Sequence, residues 1–260
     1  MTSQTIHIAI EERGVARLTL ARPEKHNALS AELIDALTEA AYDLGRNANV
    51  RVVVLAGEGA SFCAGGDLGW MRAQFDATRA ERVAEARRLA MLFKALNELP
   101  KPLIARVHGN AFGGGIGILS VCDMAISAAT ARFGLTEVRL GIIPATISPY
   151  VIARIGEAKA RPLFLSGKII DAWQAHAAGL LSRVVPEDAL DEAIESEIRH
   201  LLAASPQAAA RAKALARSLG VPITDELIDH VITQLADTWE TEEAREGLAA
   251  FFERREPSWR

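Results

Sequence analysis

The segment HGNAFGGGIGIL, residues 108–119, places three consecutive glycines and then Gly117 where the sequence pattern predicts the start of a helix. Glycine loses more conformational freedom on folding than any other residue, so such a run indicates an unusual backbone dihedral or a close approach by another group. A nucleotide-binding loop is one interpretation, but the sequence contains neither GxGxxG nor GxxxxGK[ST]. Two others remain: close helix packing, and consecutive N–H groups at a helix start that face a bound oxygen.

A chain of 260 residues, 50% of them hydrophobic, can bury a sizeable core in one large domain or in a domain with an appendage. Its net charge of -4 provides no general attraction for nucleic acid or for an anionic membrane surface. Cys63 and Cys122 lack metal-ligand spacing and are expected to be free thiols. Because the apolar runs are too short to span a bilayer and the N-terminal segment lacks a signal-peptide pattern, we expect a soluble cytoplasmic protein.

Strands and helices alternate in the first half of the chain. The predicted strands are short apolar or alternating runs, at residues 6–10, 15–21, 51–56, 102–109 and 123–127. The predicted helices have apolar residues at helical spacing, at residues 31–46 after the N-cap Ser30, 79–97 and 116–122. This alternation predicts an α/β layered domain whose first two strands form a hairpin.

Helices dominate from residue 146 onward. We predict helices at 157–167 and 171–178, the second ending at Gly179, then a strand at 181–185 and three further helices. Ser205 before Pro206, and Thr224 before acidic residues, are predicted N-caps. The chain therefore divides into an α/β core of residues 1–199 and a helical C-terminal region of residues 200–260.

A second turn of small residues, SFCAGGDL (61–68), also follows a predicted buried strand. Two such turns after neighbouring strands can offer two backbone N–H donors to one developing oxyanion, which is how enolates and tetrahedral intermediates are stabilised. Side chains at these positions would obstruct the ligand, and this explains the glycines.

Five segments together identify a family: RPEKHNAL (22–29), FCAGGDL (62–68), HGNAFGGGIG (108–117), FGLTEVRLGIIP (133–144) and EAREGLAAFFERR (243–255). In this order they resemble the enoyl-CoA hydratase/isomerase superfamily, and the resemblance runs almost from end to end. It implies the crotonase fold, a ClpP-like spiral of ββα units, with a C-terminal region that assembles a homotrimer or a dimer of trimers. The implied substrate is an acyl-CoA thioester, coenzyme A being part of the substrate, with no metal or further cofactor and no nucleic-acid or membrane partner.

The resemblance also implies roles for individual residues. The backbone N–H groups of Ala64 and Gly114 would form the oxyanion hole, and Glu137 would act as acid and base at the acyl chain. Phe251 and Arg254 would reach the coenzyme A of a neighbouring subunit. The full set of implied substrate and coenzyme A contacts is Arg22, Lys25, Ala28, Ala64, Gly66, Asp67, Leu68, Trp70, Gly113, Gly114, Phe251 and Arg254.

Gly117 departs from the pattern of many hydratases of this family, which carry a second catalytic glutamate at that position. A residue three positions after Gly114 lies on the same face of a helix, so a carboxylate at position 117 would point at the substrate. With Glu137 alone, proton transfer within an enolate is the simpler reaction and favours a Δ3,Δ2-enoyl-CoA isomerase. The segments CAGGDLGWM and EVRLGIIPATISPYVI instead resemble bacterial 3-methylglutaconyl-CoA and related branched-acyl hydratases, and on this closer match we predict a 2-enoyl-CoA hydratase.

An acyl group that ends in a carboxylate should meet a cation, and Arg72 and Arg139 are the candidates. Asp67 is predicted to stiffen the turn through hydrogen bonds, and Trp70 and Met71 to pack over the acyl pocket. Cys63 is predicted to be a small apolar filler. The alternative from another class is a non-catalytic or RNA-associated crotonase-like protein, against which the acidic balance argues.

Overall fold

A computed structural model describes residues 5–260, with helices packed against two β-sheets. The strands in this range are β1 (Ile6–Ile10), β2 (Val15–Leu20), β3 (Val52–Gly57), β4 (Ser61–Cys63), β5 (Leu103–Val107), β6 (Asn110–Phe112), β7 (Met124–Ala128), β8 (Arg132–Gly134), β9 (Ile169–Asp171) and β10 (Arg183–Val185). The α-helices are α1 (Ala31–Arg46), α2 (Leu68–Asp76), α3 (Arg79–Glu98), α4 (Gly114–Val121), α5 (Ser148–Ile155), α6 (Glu157–Ser166), α7 (Ala172–Ala178), α8 (Leu190–Ala203), α9 (Pro206–Leu219), α10 (Asp225–Trp239) and α11 (Glu242–Glu253). Short 3₁₀ helices cover Pro23–Lys25, Glu137–Leu140 and Glu187–Ala189.

The larger sheet has the strand order β1-β2-β3-β5-β7-β10. β1 and β2 form the predicted antiparallel hairpin, and the other pairs in this sheet are parallel. Both faces of β3 are covered, so that Val52, Val53, Val54 and Leu55 are all buried. Burial on two faces explains why continuous apolar runs, rather than alternating ones, mark the central strands.

The smaller sheet has the strand order β4-β6-β8-β9 and was not predicted from the sequence. Its strands have three residues each, which is too short for a periodic pattern to be recognised. The chain adds one strand to the larger sheet, one to the smaller sheet and then a helix, as in β5, β6 and α4. This is the spiral of ββα units that the sequence resemblance implies, and the expected fold is confirmed.

Helix α1 confirms the prediction from its apolar spacing. The Ser30 hydroxyl accepts a hydrogen bond from the Leu33 N–H, which caps the helix at its predicted first turn. Its buried residues lie on one face and pack into the main core. α7 ends as predicted at Gly179, which adopts a left-handed conformation with φ of 93°.

The C-terminal region corrects two predictions. Four helices, α8 to α11, follow β10 within the described residues, where three were expected. Thr224 caps α10 by accepting a hydrogen bond from the Leu227 N–H, but the Ser205 side chain makes no such bond at α9. α8 spans the division placed between residues 199 and 200, and it covers one face of the larger sheet through Leu190, Ile194 and Ile198. The separate role of residues 200–260 in trimerisation stays a prediction.

Helices α10 and α11 position one side of the candidate site. α10 packs on α3, with Ile228 and Ile232 against Ala86 and Ala90. Ion pairs between the two helices join Arg79 to Asp237, Arg87 to Asp229, and Lys94 to Asp225, and Arg79 also pairs with Glu240 at the end of α10. α11 lies against the 3₁₀ helix Glu137–Leu140. No helix in residues 5–260 combines the length and the apolar character needed to cross a membrane.

Candidate active site

Two glycine-rich turns meet at the carboxyl ends of β4 and β6. These strands are parallel neighbours, so the segments that follow them lie side by side. Gly65 (φ 93°) and Gly113 (φ 47°) both adopt positive φ values. A Cβ atom on Gly65 would lie 3.0 Å from the Phe112 carbonyl oxygen. Only glycine combines this backbone conformation with so close an approach of the two turns.

Two backbone N–H groups at these turns are available to a ligand. Gly114 is the first residue of α4, where the N–H groups of a helix lack intrahelical acceptors. Neither the Gly114 N–H nor the Gly66 N–H has an acceptor among residues 5–260. Gly66 and Gly114 line the same cavity, as an oxyanion hole requires. The positive end of the α4 dipole adds to the potential there.

Ala64 does not serve as the second donor, which corrects the expectation from the sequence. Its N–H donates to the His26 carbonyl oxygen at 3.0 Å and is therefore occupied by the fold itself. Ala64 does not line the cavity that contains Gly114, although it lines a neighbouring cavity together with Gly66 and Glu137. The available donor is Gly66, two residues further along the same turn. The pattern of small residues locates this turn, but only the hydrogen bonds tell which N–H remains open.

Glu137 brings a carboxyl group into this cavity. It begins the 3₁₀ helix, and its Oε1 would lie 3.1 Å from a Cβ atom on Gly113. Its Oε2 is buried without a hydrogen-bond partner in the described part of the chain. Burial raises the pKa of Glu137 to about 7, because the charged form loses hydration there. A group with this pKa can accept and return a proton near neutral pH.

The rest of the cavity is mainly hydrocarbon from α2, α3, α10 and the segment 142–147. Trp70 and Met71 line it as predicted, and Trp70 is oriented by its Nε1–H, which donates to Glu85 at 2.8 Å. Further lining residues are Leu29, Gln74, Arg82, Ala86, Leu89, Ile142, Ile143, Pro144, Ala145, Thr146, Ile147, Leu235, Ala236 and Trp239. Gln74 and Arg82 were not predicted from the sequence. Arg82 lies four residues before Ala86 on α3, so helical spacing places both residues on one face, and this signal could have found Arg82.

Asp67 stiffens the turn as the sequence predicted. Its carboxylate accepts hydrogen bonds from the Gly69 and Trp70 N–H groups and thereby caps α2. It also pairs with Arg22 at 3.0 Å. Burial alone would raise the pKa of Asp67, but these hydrogen bonds and the Arg22 charge lower it below its ordinary value. Cys63, buried in the main core, has its pKa raised to about 12 by burial, in keeping with an apolar filler.

The segment predicted to border coenzyme A is held to this turn from within the chain. Arg22 donates to the Ala28 carbonyl oxygen at 2.7 Å and pairs with Asp67, so its guanidinium group is already engaged. Ala28 is buried, whereas Lys25 is exposed and has no ion pair within residues 5–260. Of the two predicted cations in this segment, Lys25 is the one free to meet a phosphate.

A second cavity of about 350 Å³ opens beside the first and also reaches Glu137. Five of the predicted contacts line it and so meet at one place: Ala64, Gly66, Leu68, Gly113 and Phe251. Phe251 reaches it from α11 of the same chain. Arg254 ends α11 in a left-handed conformation and lines neither cavity among the described residues.

The two cations proposed for a substrate carboxylate differ in position. Arg139 lines the second cavity. Arg72 is exposed, lies over the Phe252 ring with 5.5 Å between its Cζ and the ring centre, and lines neither cavity in the described structure. Within the described residues, neither arginine lines the cavity that Gly66 and Gly114 share, although Arg139 shares the second cavity with Gly66 and Glu137.

The position of Gly117 is filled by hydrocarbon. A Cβ atom there would lie 2.5 Å from Ile147 Cγ2 and 2.8 Å from two ring atoms of Phe93. A side chain at residue 117 would thus enter packed core, and the expectation that it would point at an open substrate site is corrected. Among the described residues, Glu137 is the sole carboxylate that lines the cavity. No cluster of three or more His, Cys, Asp or Glu side chains in residues 5–260 is placed to hold a metal ion.

Comparison with known proteins identifies the family. The sequence model described as enoyl-CoA hydratase/isomerase matches residues 10–260. The chain is 34% identical to "Probable enoyl-CoA hydratase echA8" of Mycobacterium tuberculosis, over 100% of this chain and 99% of that protein. It is 36% identical to the enoyl-CoA hydratase AKT6-1 of Alternaria alternata, over 93% and 80% of the two chains. The crystal structure of an enoyl-CoA hydratase from Mycobacterium avium superposes with a TM-score of 0.86 at 33% identity, covering 100% of both chains.

These structural neighbours confirm the crotonase fold of this α/β chain. The chain belongs to the enoyl-CoA hydratase/isomerase family and is an enzyme of that class.

Gly117→Ala tests the packing around residue 117. We expect it to lower the free energy of unfolding by about 1–3 kcal/mol through overpacking, although alanine is intrinsically favoured in a helix by about 1 kcal/mol. Urea denaturation measures the change. Gly220→Ala is the control, because its Cβ would meet nothing closer than 3.6 Å. If Gly117→Ala is as stable as the wild type, Ile147 and Phe93 leave room for a side chain.

Glu137→Gln tests the burial of the carboxyl group through stability. Because the folded-state pKa of about 7 exceeds the ordinary value of 4.5, ionising Glu137 destabilises the fold. This cost is absent below pH 4.5, grows as the pH rises and is complete above about pH 7. Glu137→Gln should therefore raise the free energy of unfolding at pH 8 by up to about 3 kcal/mol and leave it nearly unchanged near pH 4.5. Equal stabilisation at both pH values would contradict a raised pKa.

Proposed function

We propose that this enzyme adds water to the double bond of a 2-enoyl-CoA thioester. The observation that carries the proposal is one cavity that contains two N–H donors, on Gly66 and Gly114, and the buried Oε2 of Glu137, all three without a hydrogen-bond partner within residues 5–260. Two donors aimed at one oxygen stabilise the enolate of a thioester, and a carboxyl group beside them transfers the proton.

The proposed reaction uses Glu137 twice. The thioester oxygen accepts hydrogen bonds from Gly66 and Gly114, which makes C3 of the enoyl group electrophilic. The Glu137 carboxylate removes a proton from water as the water oxygen bonds to C3, and the electron pair of the double bond moves onto the thioester oxygen. The protonated Glu137 then returns that proton to C2, which yields the 3-hydroxyacyl thioester. A pKa of about 7 allows the same group to act first as base and then as acid.

A second candidate reaction is the isomerisation of a 3-enoyl-CoA to a 2-enoyl-CoA. The observation that favours it is the absence of any carboxylate other than Glu137 from the cavity lining within residues 5–260. Isomerisation moves one proton between C2 and C4 of a dienolate held at the same two donors, and a single base suffices. The relatives named enoyl-CoA hydratase favour hydration.

The size of the cavity favours a short acyl group, and we propose a branched one such as 3-methylglutaconyl-CoA. The cavity measures about 120 Å³. A cavity of roughly 150 Å³ holds a ligand the size of benzene, so an acyl chain of a few carbons fits better than a long one. In this proposal the thioester oxygen is polarised by backbone N–H groups alone, so coenzyme A enters as part of the substrate and no further cofactor is needed.

We also propose the homotrimer, or dimer of trimers, that the family resemblance implies. Helix α9 supports burial against another copy of the chain, because none of its residues is buried within one chain. Leu215, Leu219 and Val221 are 59%, 78% and 64% exposed. Leu215 and Leu219 lie four residues apart on α9, and Val221 follows its end; exposed apolar side chains this near in sequence support an association surface.

The reaction is tested by mixing the enzyme with crotonyl-CoA, 3-methylglutaconyl-CoA and a 3-enoyl-CoA in ¹⁸O-water and analysing the products by mass spectrometry. We expect ¹⁸O in a 3-hydroxyacyl product. Double-bond migration without ¹⁸O would identify the isomerase instead.

Glu137→Gln should lose about 10²–10⁴-fold in rate, the range for an acid–base group. Glu242→Gln, on the exposed surface of α11, is the matched control. Retention of most activity in Glu137→Gln would refute the role of Glu137.

The donor on Gly114 is tested by comparing Gly114→Pro with Gly114→Ala. Both variants add a Cβ atom that would lie 2.6 Å from the Cδ1 atom of Leu29, so the Leu29 side chain must shift in both. Only proline removes the N–H, and proline is compatible with the first position of a helix. We expect Gly114→Pro to be roughly 10²–10³-fold slower than Gly114→Ala in kcat, the range for one oxyanion donor. Equal rates in the two folded variants would exclude this N–H from the oxyanion hole.

A further inference from the structure

The largely apolar cavity contains one polar region that the proposed reaction does not use. Arg82 of α3 and Gln74 of α2 line the cavity together with Gly66, Gly114 and Glu137. Arg82 precedes Ala86 by four residues and Leu89 by seven, so it continues the face of α3 that forms the cavity wall.

Arg82 is held rigidly, yet no carboxylate of the described chain neutralises it. Its Nε donates to the Gln74 carbonyl oxygen at 2.8 Å, and its Nη2 donates to the Phe75 carbonyl oxygen at 3.1 Å. Its Cζ lies 5.6 Å from the centre of the Trp239 ring. Within residues 5–260, Nη1 has no acceptor and the guanidinium group makes no ion pair. These three contacts hold the guanidinium group in place, and its charge has no counterion among the described residues.

The other arginines of α3 show that this is a feature of the cavity face. Arg79, Arg87 and Arg88 lie on the outer faces of α3, and each of them pairs with an aspartate or glutamate. Arg82 alone among the four faces the cavity, and it alone is unpaired in the described structure. A partly buried charge without a counterion is costly, so a site of this kind is suited to an anion that arrives with a ligand.

Gln74 supplies a second hydrogen-bonding group at the same place. Gln74 is buried, with 8% exposure, and its Oε1 has no hydrogen-bond partner in the described structure. Buried polar atoms are normally paired, so this acceptor indicates a donor from a ligand or a water molecule, and by itself it does not indicate an anion. The same side-chain amide carries two N–H groups on Nε2, and these are what can donate to a carboxylate oxygen beside a guanidinium group.

We propose that Arg82 and Gln74 form a subsite for a carboxylate at the far end of the acyl group. The preferred substrate is then a short 2-enoyl-CoA that bears a second, free carboxylate, as a dicarboxylic acid joined to coenzyme A through one end does. A guanidinium group matches the two oxygens of a carboxylate in geometry and charge. This inference rests on the proposed function, because it takes the cavity to be the acyl site.

Arg82 also has a structural role that the test must separate. Its bonds to the Gln74 and Phe75 carbonyl oxygens satisfy the last turn of α2. Loss of that role would impair every substrate equally. Loss of a carboxylate contact would impair only a substrate that carries the carboxylate, so the ratio of two kcat/KM values distinguishes them.

The experiment compares glutaconyl-CoA with 2-pentenoyl-CoA, in which a methyl group replaces the carboxylate. We expect the wild type to prefer glutaconyl-CoA. Arg82→Gln should lower the ratio of kcat/KM for glutaconyl-CoA to kcat/KM for 2-pentenoyl-CoA by roughly 30-fold to 1,000-fold, the order expected for losing one partner of a charge pair, whatever loss both substrates share through α2. Arg82→Lys should restore part of the preference, and Gln74→Leu should reduce it. Arg87→Gln, on an outer face of α3, should leave it unchanged.

The substrate preference of the wild type distinguishes failure of the carboxylate subsite from failure of the proposed function. If it uses 2-pentenoyl-CoA as well as glutaconyl-CoA, the carboxylate subsite is overturned and the proposed function stands. If it uses neither these substrates nor crotonyl-CoA, the proposed function fails. A preference for glutaconyl-CoA that survives Arg82→Gln would place the carboxylate elsewhere. An analogue of glutaconyl-CoA in which a primary amide replaces the free carboxylate is polar but neutral, and it should behave like 2-pentenoyl-CoA. Equal use of this amide and of glutaconyl-CoA would show that the charge is not recognised.

Discussion

The close approach of two backbone turns, after β4 and after β6, is the constraint on which the rest of this structure depends. A Cβ atom on Gly115 would lie 2.5 Å from the Cys63 carbonyl oxygen, and one on Gly65 would lie 3.0 Å from that of Phe112. The two turns can therefore touch only because glycine occupies these positions. Their contact places the Gly66 and Gly114 N–H groups at one cavity, and it leaves the start of α4 without a side chain that would cover them.

The same packing sets the properties of Glu137. Its carboxyl group lies against the Gly113 turn and is removed from water, so its pKa rises to about 7. Burial that destabilises the ionised carboxylate also makes the group basic enough for proton transfer near neutral pH. The fold is thus less stable at the neutral pH at which this carboxyl group can exchange protons. Such an opposition between stability and activity is common in enzymes.

The cavity joins this reactive end to a wall formed by α2, α3 and α10. The outer faces of α3 and α10 are connected by ion pairs, whereas their inner faces provide hydrocarbon and the guanidinium group of Arg82, which makes no ion pair in the described part of the chain. Exposed ion pairs contribute little stability individually, so the apolar contacts of Ala86 and Ala90 with Ile228 and Ile232 carry most of this packing. In the proposed reaction the substrate lies between the Gly66 and Gly114 N–H groups and this wall, which would then determine which acyl groups fit.

The sequence by itself determined the features that depend on local patterns: the hairpin, α1 with its cap at Ser30, the apolar central strands, the two glycine turns and the family. These follow from periodicity and backbone restriction over a few neighbouring residues. Only the tertiary structure decided which N–H groups are open, since the Ala64 N–H is used by His26, a residue 38 positions earlier in the chain. It also decided that Ile147 and Phe93 fill the space beside Gly117 and that Arg82 lines the cavity with no ion pair to any described residue. Hydrogen bonds and packing between residues far apart in sequence leave no local periodic pattern, so they can be read only from the folded chain.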